Sequence, residues 1–409
     1  MLLKKQLLFI GALLASMGVA AQDFENEHVF ETSTQLGVDA WKLAPSTNDN
    51  TYLLNQNLYL ANSQSKWDYT SVSPWIKLIS NAKLSNDLSF TLKFRADQSL
   101  GMRIDDLHFD WSFWPTTGVR LGVVDFKVNW CKTYDLDSAW VRQNDPFCVS
   151  PITFTSNNAG PGVQLYNNLR LGDYNIQTIG GVYRPTLFKY NHKEFGNTYL
   201  AETDTATKNN KLGLAASVLN TETGTLFRAG YLKTDQSASI TKQTQFLNQN
   251  VDFLFYGIEF LLSNSTSIEL HHIDSNWTTQ QYDNGVIYNF VSYPPELSYL
   301  IDSRRNATAL EIKNQFDSRN IIAYAYSRYI YNVDSATSYT YIQHVTPVPS
   351  TATAQLLNFV GTSHSIAWRR DLGDGWFYSL QYTRAFTNRK NPEGSASGTA
   401  YGLRLAYQF

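Results

Sequence analysis

Apolar and polar side chains alternate along many segments of this chain, which is the pattern of β-strands that present one apolar face. The clearest case is the segment that ends the sequence, residues 401–409. Its small or polar face carries Gly402, Arg404, Ala406 and Gln408. Its apolar face carries Tyr401, Leu403, Leu405, Tyr407 and Phe409.

The same alternation recurs along the chain, for example in residues 87–97 and 106–113. Clusters of Gly, Asn, Asp and Ser between such segments indicate turns. Tight turns are predicted at 85–86, 115–117, 172–173, 221–224, 263–265, 317–318 and 372–375. Long polar segments alternate with these turns: 45–72, 129–160, 185–210, 236–250, 276–304, 333–358 and 388–397, with a short one at 98–102.

Counting the segments between these connections predicts sixteen strands, starting near residues 31, 73, 87, 103, 118, 161, 174, 211, 225, 251, 266, 305, 319, 359, 376 and 398. Residues 52–60 also look like a strand, so they are either a hairpin within the first long segment or a sign of eighteen strands. Val123-Val124 and Arg384 break the alternation, which suggests β-bulges at these positions.

Composition narrows the class of protein. Of all residues 14% are aromatic, yet the chain beyond residue 21 contains no apolar run long enough for a membrane-spanning helix. Lipid offers no hydrogen bonds to the backbone, so only helices and closed barrels span a membrane. We therefore predict an all-β fold: a transmembrane, antiparallel, up-and-down β-barrel with short periplasmic turns and long external loops.

The first residues predict export. Lys4 and Lys5 precede an apolar run at 7–15, and Ala20-Ala21 offers small residues for cleavage, so residues 1–21 are expected to be a secretory signal peptide. Residues 22–409 would then form the barrel. Removing Lys4 and Lys5 leaves 31 of the 33 basic residues against 35 acidic ones, and this near balance argues against nucleic acid as a partner.

Segment 401–409 resembles the last strand of Gram-negative outer-membrane β-barrels, in which a final Phe and alternating apolar residues signal assembly and closure. The whole chain resembles the general porins, which have sixteen strands and a long third loop that folds into the pore. The resemblance implies a location in the outer membrane, with lipid and lipopolysaccharide as surroundings. It also implies recognition by the barrel assembly machinery and an inward third loop at 129–160. The second loop, which joins subunits in trimeric porins, is only about 99–102 here, so a homotrimer is left open.

Charged residues on the polar faces of the strands are predicted to line a wet interior, because charge is costly against lipid. Basic side chains gather on strands next to the third loop, and the loop itself is mainly acidic, which would produce a transverse field at a constriction. The alternative is that these charges solvate the wall or pair with each other. The candidate pore residues are Lys93, Arg95, Asp106, Asp110, Arg120 and Arg170 on strands, with Asp135, Asp137, Arg142 and Asp145 in the loop.

Both cysteines of the chain, Cys131 and Cys148, fall in the predicted third loop. The periplasm is oxidising, so we expect them to form a disulfide. The alternatives are a metal site or a reactive thiol, and two cysteines without clustered histidines suit zinc poorly. No cofactor or metal is indicated elsewhere, since neighbours such as His271 and His272 face opposite sides of a strand.

Barrel width links this fold to function. Barrels of sixteen to eighteen strands leave an aqueous channel, whereas eight-stranded ones are filled by side chains. We therefore expect a porin for passive diffusion of small hydrophilic solutes or ions, and no enzymatic activity. Alternatives are a pore selective for sugars or organic acids, a barrel enzyme, or a surface receptor or adhesin. The inward aromatic candidates for a sugar pore are Trp41, Trp75, Phe253, Phe255, Tyr329 and Tyr331.

Overall fold

A computed structural model of the chain describes residues 30–45, 69–97, 101–125, 159–184, 205–240, 245–283, 287–288, 291–292, 296–342, 346–351, 359–390 and 393–409. Some residues within these ranges, including Trp41, Arg95 and Tyr331, are described by their backbone alone. The part of the chain so described consists of strands and turns, and it contains no helix long and apolar enough to cross a membrane.

The described strands are, in chain order, β1 (Phe30–Pro45), β2 (Tyr69–Lys83), β3 (Leu88–Asp97), β4 (Gly101–Ser112), β5 (Thr117–Asp125), β6 (Ala159–Leu171), β7 (Tyr174–Tyr183), β8 (Thr205–Asn220), β9 (Leu226–Ile240), β10 (Gln245–Ser263), β11 (Thr266–Asp283), β12 (Ile287–Tyr288), β13 (Val291–Ser292), β14 (Glu296–Gln315), β15 (Asn320–Ile342), β16 (Thr346–Thr351), β17 (Phe359–Gly373), β18 (Trp376–Lys390) and β19 (Glu393–Gln408).

Sixteen of these strands form a closed barrel. Each pairs antiparallel with the next barrel strand along the chain, and β19 pairs back onto β1 with Leu405 opposite Val38. Of the other three, β12 and β13 form a separate two-stranded sheet, and β16 pairs with the outer end of β15. The predicted antiparallel barrel is therefore confirmed, while the ambiguous segment 52–60 lies outside the described residues.

The predicted tight turns are all present, at one end of the barrel. The turn between β17 and β18 shows why such turns need glycine. Asp374 has a φ of 51°, between Gly373 at 94° and Gly375 at 80°. L-residues rarely adopt this left-handed region, and glycine enters it without steric cost. In outer-membrane barrels the end with the short turns faces the periplasm.

The outer face of the barrel is apolar. Along β19 the side chains of Tyr401, Leu403 and Leu405 are exposed, and the residues between them are buried. Such a continuous apolar surface is unsuited to water and suits lipid. Other exposed apolar residues include Leu36 and Val38 on β1, Phe109 and Trp111 on β4, Leu212 and Leu214 on β8, and Leu380 and Tyr382 on β18.

Several strands extend further from the short-turn end than the sequence predicts. β8 begins at Thr205 rather than near 211, β10 at Gln245 rather than near 251, and β14 at Glu296 rather than near 305. The added ends, such as TATKNN in β8, are polar on both faces, so alternation does not reveal them. Their backbone pairing nevertheless continues onto the neighbouring strand.

Both predicted bulges are wrong. β5 keeps an unbroken register with β6 through Val123 and Val124, and with β4 as far as Val123, where that pairing ends. The irregularity nearby lies between β3 and β4, where Asp105 is the extra residue. Arg384 also stays in register, opposite His364, and its side chain is exposed on the outer face.

Candidate functional site: the inner wall of the barrel

The inner face of the barrel is formed by the side chains that alternate with the exposed apolar ones. A buried charge is costly unless it is paired, so a wall rich in charged groups must satisfy them locally. Buried polar residues of this face include Gln35, Lys77, Asp106, His108, Gln164, Lys211, Glu269, His271, Glu311, Arg369, Gln381 and Arg404.

The first charged cluster joins β3, β4 and β5. Lys93 lies opposite Asp106, with 3.7 Å between Nζ and Oδ2, and His108 Nδ1 is 2.5 Å from Asp106 Oδ1. Arg120 donates from Nε to Asp110 Oδ2 at 2.9 Å. The Lys93 and Arg120 side chains keep 26% and 27% of their surface exposed, so both reach the solvent of the bore.

Tyr166 on β6 extends this cluster across the wall. Its hydroxyl donates to Asp110 Oδ1 at 2.5 Å and lies 3.0 Å from Ser112 Oγ, and the Arg120 guanidinium is 4.8 Å from its ring centre. The sequence singles out Asp110 and Arg120 but not Tyr166. The hydroxyl reaches a partner 56 residues away, and only the register of the sheet brings the two together.

A second cluster lies on β11 and β14, where Glu269 and Glu311 face each other. Lys313 Nζ donates to Glu269 and lies 3.4 Å from Glu311 Oε1, so one ammonium group serves two carboxylates. His271 Nε2 is 3.4 Å from Glu269 Oε2. Within the described residues, no three His, Cys, Asp or Glu side chains are arranged to hold a metal ion.

A third cluster spans the seam where the barrel closes. Arg404 on β19 donates two hydrogen bonds to Asp39 on β1. Trp75 on β2 donates from Nε1 to Asp39 Oδ1 at 2.8 Å, and the Arg404 guanidinium lies 4.9 Å from the Trp75 ring centre. Three strands from the two ends of the chain are thus joined by one carboxylate.

Three inward aromatic rings each lie over a glycine directly opposite on the neighbouring strand. A Cβ on any of these glycines would come within 2.5–2.7 Å of atoms of the facing ring. Glycine therefore leaves room for each ring to lie along the wall. The pairs are Gly37 with Trp75, Gly118 with Tyr166, and Gly230 with Phe255.

Solvent access to the inner face is uneven. On β8 and β9, Ser217 and Arg228 near the short turns are half-buried, whereas Lys211 and Thr234 further along the same strands are buried. On β18 even Phe377, next to the turn, is buried. On β8 and β9 the inner face is therefore more exposed to solvent near the short turns than further along the strands.

Other predicted site residues lie apart from these clusters. Arg170 is exposed near the end of β6, beside the short turn to β7. The side chain of Arg95 is outside the described part of the structure, and so are the loop residues Asp135, Asp137, Arg142 and Asp145 with both cysteines. An inward third loop and the disulfide remain predictions.

Comparisons with known proteins support the fold. No known family matches the sequence, and no curated protein does either. Solved structures do match. The outer membrane channel DcaP of Acinetobacter baumannii has a TM-score of 0.54 at 11% identity, over 94% of this chain and 99% of that chain. OmpT of Vibrio cholerae has a TM-score of 0.52 at 9% identity, over 94% and 99%. OprB of Pseudomonas putida has a TM-score of 0.52 at 12% identity, over 93% and 94%.

These likenesses define the class of protein. The chain has the closed antiparallel barrel of outer-membrane porins, as its resemblance to that family predicts. Its exposed apolar face is the surface such a barrel presents to lipid. The chain therefore has the fold of Gram-negative outer-membrane β-barrels.

Proposed function

We propose that the protein is a porin, a water-filled channel through which small hydrophilic solutes or ions diffuse passively, and that it is not an enzyme. The observation that carries this proposal is the charged inner wall of a sixteen-stranded barrel, on which Lys93 and Arg120 remain partly exposed. A barrel of this width encloses water. The naming of DcaP as an outer membrane channel supports the same function for this fold.

Planar lipid bilayers provide the test. Purified protein, first shown by circular dichroism to be folded as a β-barrel, should produce stepwise and ohmic current increases in potassium chloride. Heat-denatured protein is the control and should produce none. Absence of steps from folded, inserted protein would reject the proposal.

The alternative of a sugar pore lined by inward aromatic residues gains less support. Trp75 and Phe255 lie over glycines of the wall, and Phe253 packs edge-on against Trp277 with ring centres 5.8 Å apart. All four side chains are buried. A sugar ring would need an exposed aromatic face to stack on, so we favour diffusion over selection by these side chains.

We further propose that residues 1–21 are removed on export and that Cys131 and Cys148 form a disulfide. Intact mass spectrometry after alkylation tests both: the mature chain should begin at residue 22 and take up alkyl groups only after reduction.

We also propose that the barrel assembly machinery recognises the apolar face of β19. One OmpT structure is a trimer form, with a TM-score of 0.52 at 9% identity, which supports testing for a homotrimer by cross-linking.

A further inference from the structure

Two side chains of opposite charge lie side by side on the inner face of β9 and β10. Arg228 on β9 is directly opposite Gly257 on β10, and Glu259 follows Gly257 by two positions. Residues two positions apart on a strand share a face, so Glu259 is a diagonal neighbour of Arg228 on the inner wall. Gly257 has no side chain to come between them. We call Arg228 and Glu259 the dipolar pair.

Both side chains of the dipolar pair are accessible from the bore. Each is half-buried, whereas Leu232 further along β9 and Phe253 further along β10 are fully buried. The pair lies near the short turns, where the inner face of β8 and β9 is more exposed than further along these strands. A solute in the bore can therefore reach both charges.

The charge of the Glu259 carboxylate is not neutralised by its neighbours. Within the part of the chain that the structure describes, Glu259 forms no ion pair. The residue opposite it on β11 is Glu269, which already shares the Lys313 ammonium group with Glu311. Even with His271 protonated beside Glu269, three carboxylates would face two positive charges. A positively charged group is therefore favoured beside Glu259.

Arg228 supplies the complementary half of the site. Its planar guanidinium group carries several N–H donors, which suits the two oxygens of a carboxylate. Ser217 lies directly opposite Arg228 on β8, is also half-buried, and has a hydroxyl that can donate a further hydrogen bond. A carboxylate is therefore favoured on the β8 and β9 side of the pair, and an ammonium group on the β10 side.

The spacing of the dipolar pair limits the ligand. Diagonal neighbours on adjacent strands lie roughly 7–8 Å apart. A charge-assisted hydrogen bond of about 2.8 Å at each end leaves only a short gap between the two charged groups of the ligand. An α-amino acid fits this gap, because its ammonium and carboxylate groups are attached to the same carbon. A simple anion would be repelled by Glu259, and a simple cation by Arg228.

We propose that the dipolar pair binds the zwitterion of a small α-amino acid, with the carboxylate on Arg228 and the ammonium group on Glu259. Such a site would make these zwitterions a preferred class of solute for the channel. That consequence rests on the proposed porin function, whereas the binding itself does not require transport.

The test measures equilibrium binding of L-alanine near neutral pH to the full mature protein folded in detergent micelles. Wild-type protein should bind L-alanine about tenfold more tightly than lactate, which lacks the ammonium group, or alaninamide, which lacks the carboxylate. Each of these analogues loses a hydrogen bond between charged groups, and such a bond contributes about that factor. The compound 6-aminohexanoate, whose charges are further apart, should also bind more weakly.

Arg228→Gln and Glu259→Gln should each weaken binding of L-alanine about tenfold, and each should remove one repulsion. Glu259→Gln should therefore bind lactate more tightly than wild type does, and Arg228→Gln should bind alaninamide more tightly. The matched controls are Arg370→Gln, on the outer face of β17, and Glu222→Gln, in the exposed turn between β8 and β9. Both controls should bind L-alanine as wild type does.

Equal binding of L-alanine, lactate and alaninamide by wild-type protein would overturn the proposal. Equal weakening by the controls and by the variants of the dipolar pair would also overturn it. The comparison of ligands uses wild-type protein, so it remains decisive if a variant fails to fold. Bilayer conductance is measured separately: channels that conduct without binding L-alanine would reject only this inference, and binding without conductance would reject only the porin function.

Discussion

Asp39 on the first strand of the barrel and Arg404 on the last are joined by two hydrogen bonds, Nε to Oδ1 at 2.6 Å and Nη2 to Oδ2 at 2.5 Å. The two residues lie directly opposite each other in the register that closes the barrel. The Arg404 side chain is only 4% exposed, so the pair is shielded from the solvent that weakens surface salt bridges.

Removing one partner of this pair should destabilise the barrel strongly. Arg404→Ala leaves the Asp39 carboxylate without its counter-charge, and such a change in a buried pair costs about 3–5 kcal/mol. We expect the free energy of unfolding in urea and micelles to fall by about 3 kcal/mol. Arg370→Ala, on the exposed outer face, should change it by less than about 0.5 kcal/mol. Equal effects of the two variants would show that the seam pair has no special role.

The glycines beneath aromatic rings should not tolerate a methyl group. In Gly37→Ala the new Cβ would lie 2.7 Å from Trp75 Cε2, so the ring must move and its bond to Asp39 is disturbed. We expect a loss of about 1–3 kcal/mol, as for overpacking elsewhere. Gly180→Ala is the control, because its nearest neighbour at 3.0 Å is Leu214 Cδ2, the end of a flexible side chain. A larger loss for the control would contradict this account.

The paired charges of the first cluster should set ion selectivity in opposite directions. Arg120→Gln leaves Asp110 without its basic partner and should shift the reversal potential in a salt gradient toward cation selectivity. Asp110→Asn leaves Arg120 in excess and should shift it toward anions. Single-channel recordings of both variants provide the measurement. Shifts of the same sign, or none in either variant, would remove this cluster from the permeation path.

The turn between β14 and β15 should respond to acid. Asp317 accepts backbone hydrogen bonds from Arg319 at 2.7 Å and Asn320 at 2.8 Å. The bond from Arg319 is the main cause that holds the pKa of Asp317 below its ordinary value of 3.8. Because the folded pKa is the lower one, the carboxylate stabilises the folded state above pH 3.8, and this stabilisation is lost as the pH falls through the folded pKa.

Asp317→Asn should therefore lower stability relative to wild type near neutral pH, with the difference shrinking below pH 3.8. Unfolding curves of both proteins between about pH 2 and 7 provide the measurement. Ser318→Ala, in the same turn, is the control and should show no such pH dependence. A difference between wild type and Asp317→Asn that is constant over the whole range would disprove the role of this carboxylate.

Much of this fold is predictable from the sequence, because alternation and turn residues act locally. The sequence assigns four charged residues to the inner face, because each falls on the polar side of a well-formed alternating segment: Lys93, Asp106, Asp110 and Arg120. Which of them pair with each other is known only from the register of the sheet. From the sequence, the main hypothesis is a basic wall that faces an acidic third loop. Pairing of these charged side chains with each other is only the alternative to it.

Contacts that depend on the register of strand pairing cannot be predicted from the sequence. Asp39 is one acidic residue in a moderately patterned strand, and its partner is 365 residues away. The glycine and aromatic residues of the inner face are visible individually, but which glycine lies beneath which ring follows from strand pairing. Arg384 illustrates the opposite error: an arginine among apolar neighbours suggested a bulge, whereas the strand continues in register and the side chain is exposed on the outer face.

The inner wall is unequally exposed along β8 and β9: Ser217 and Arg228 near the short turns contact more solvent than Lys211 and Thr234 further along. An inner wall that differs between its two ends makes ions accumulate or deplete according to the direction of travel, so currents at equal and opposite voltages should differ in dilute salt. Rectification of this kind would give each inserted molecule an electrical polarity, from which its orientation in the bilayer could be read.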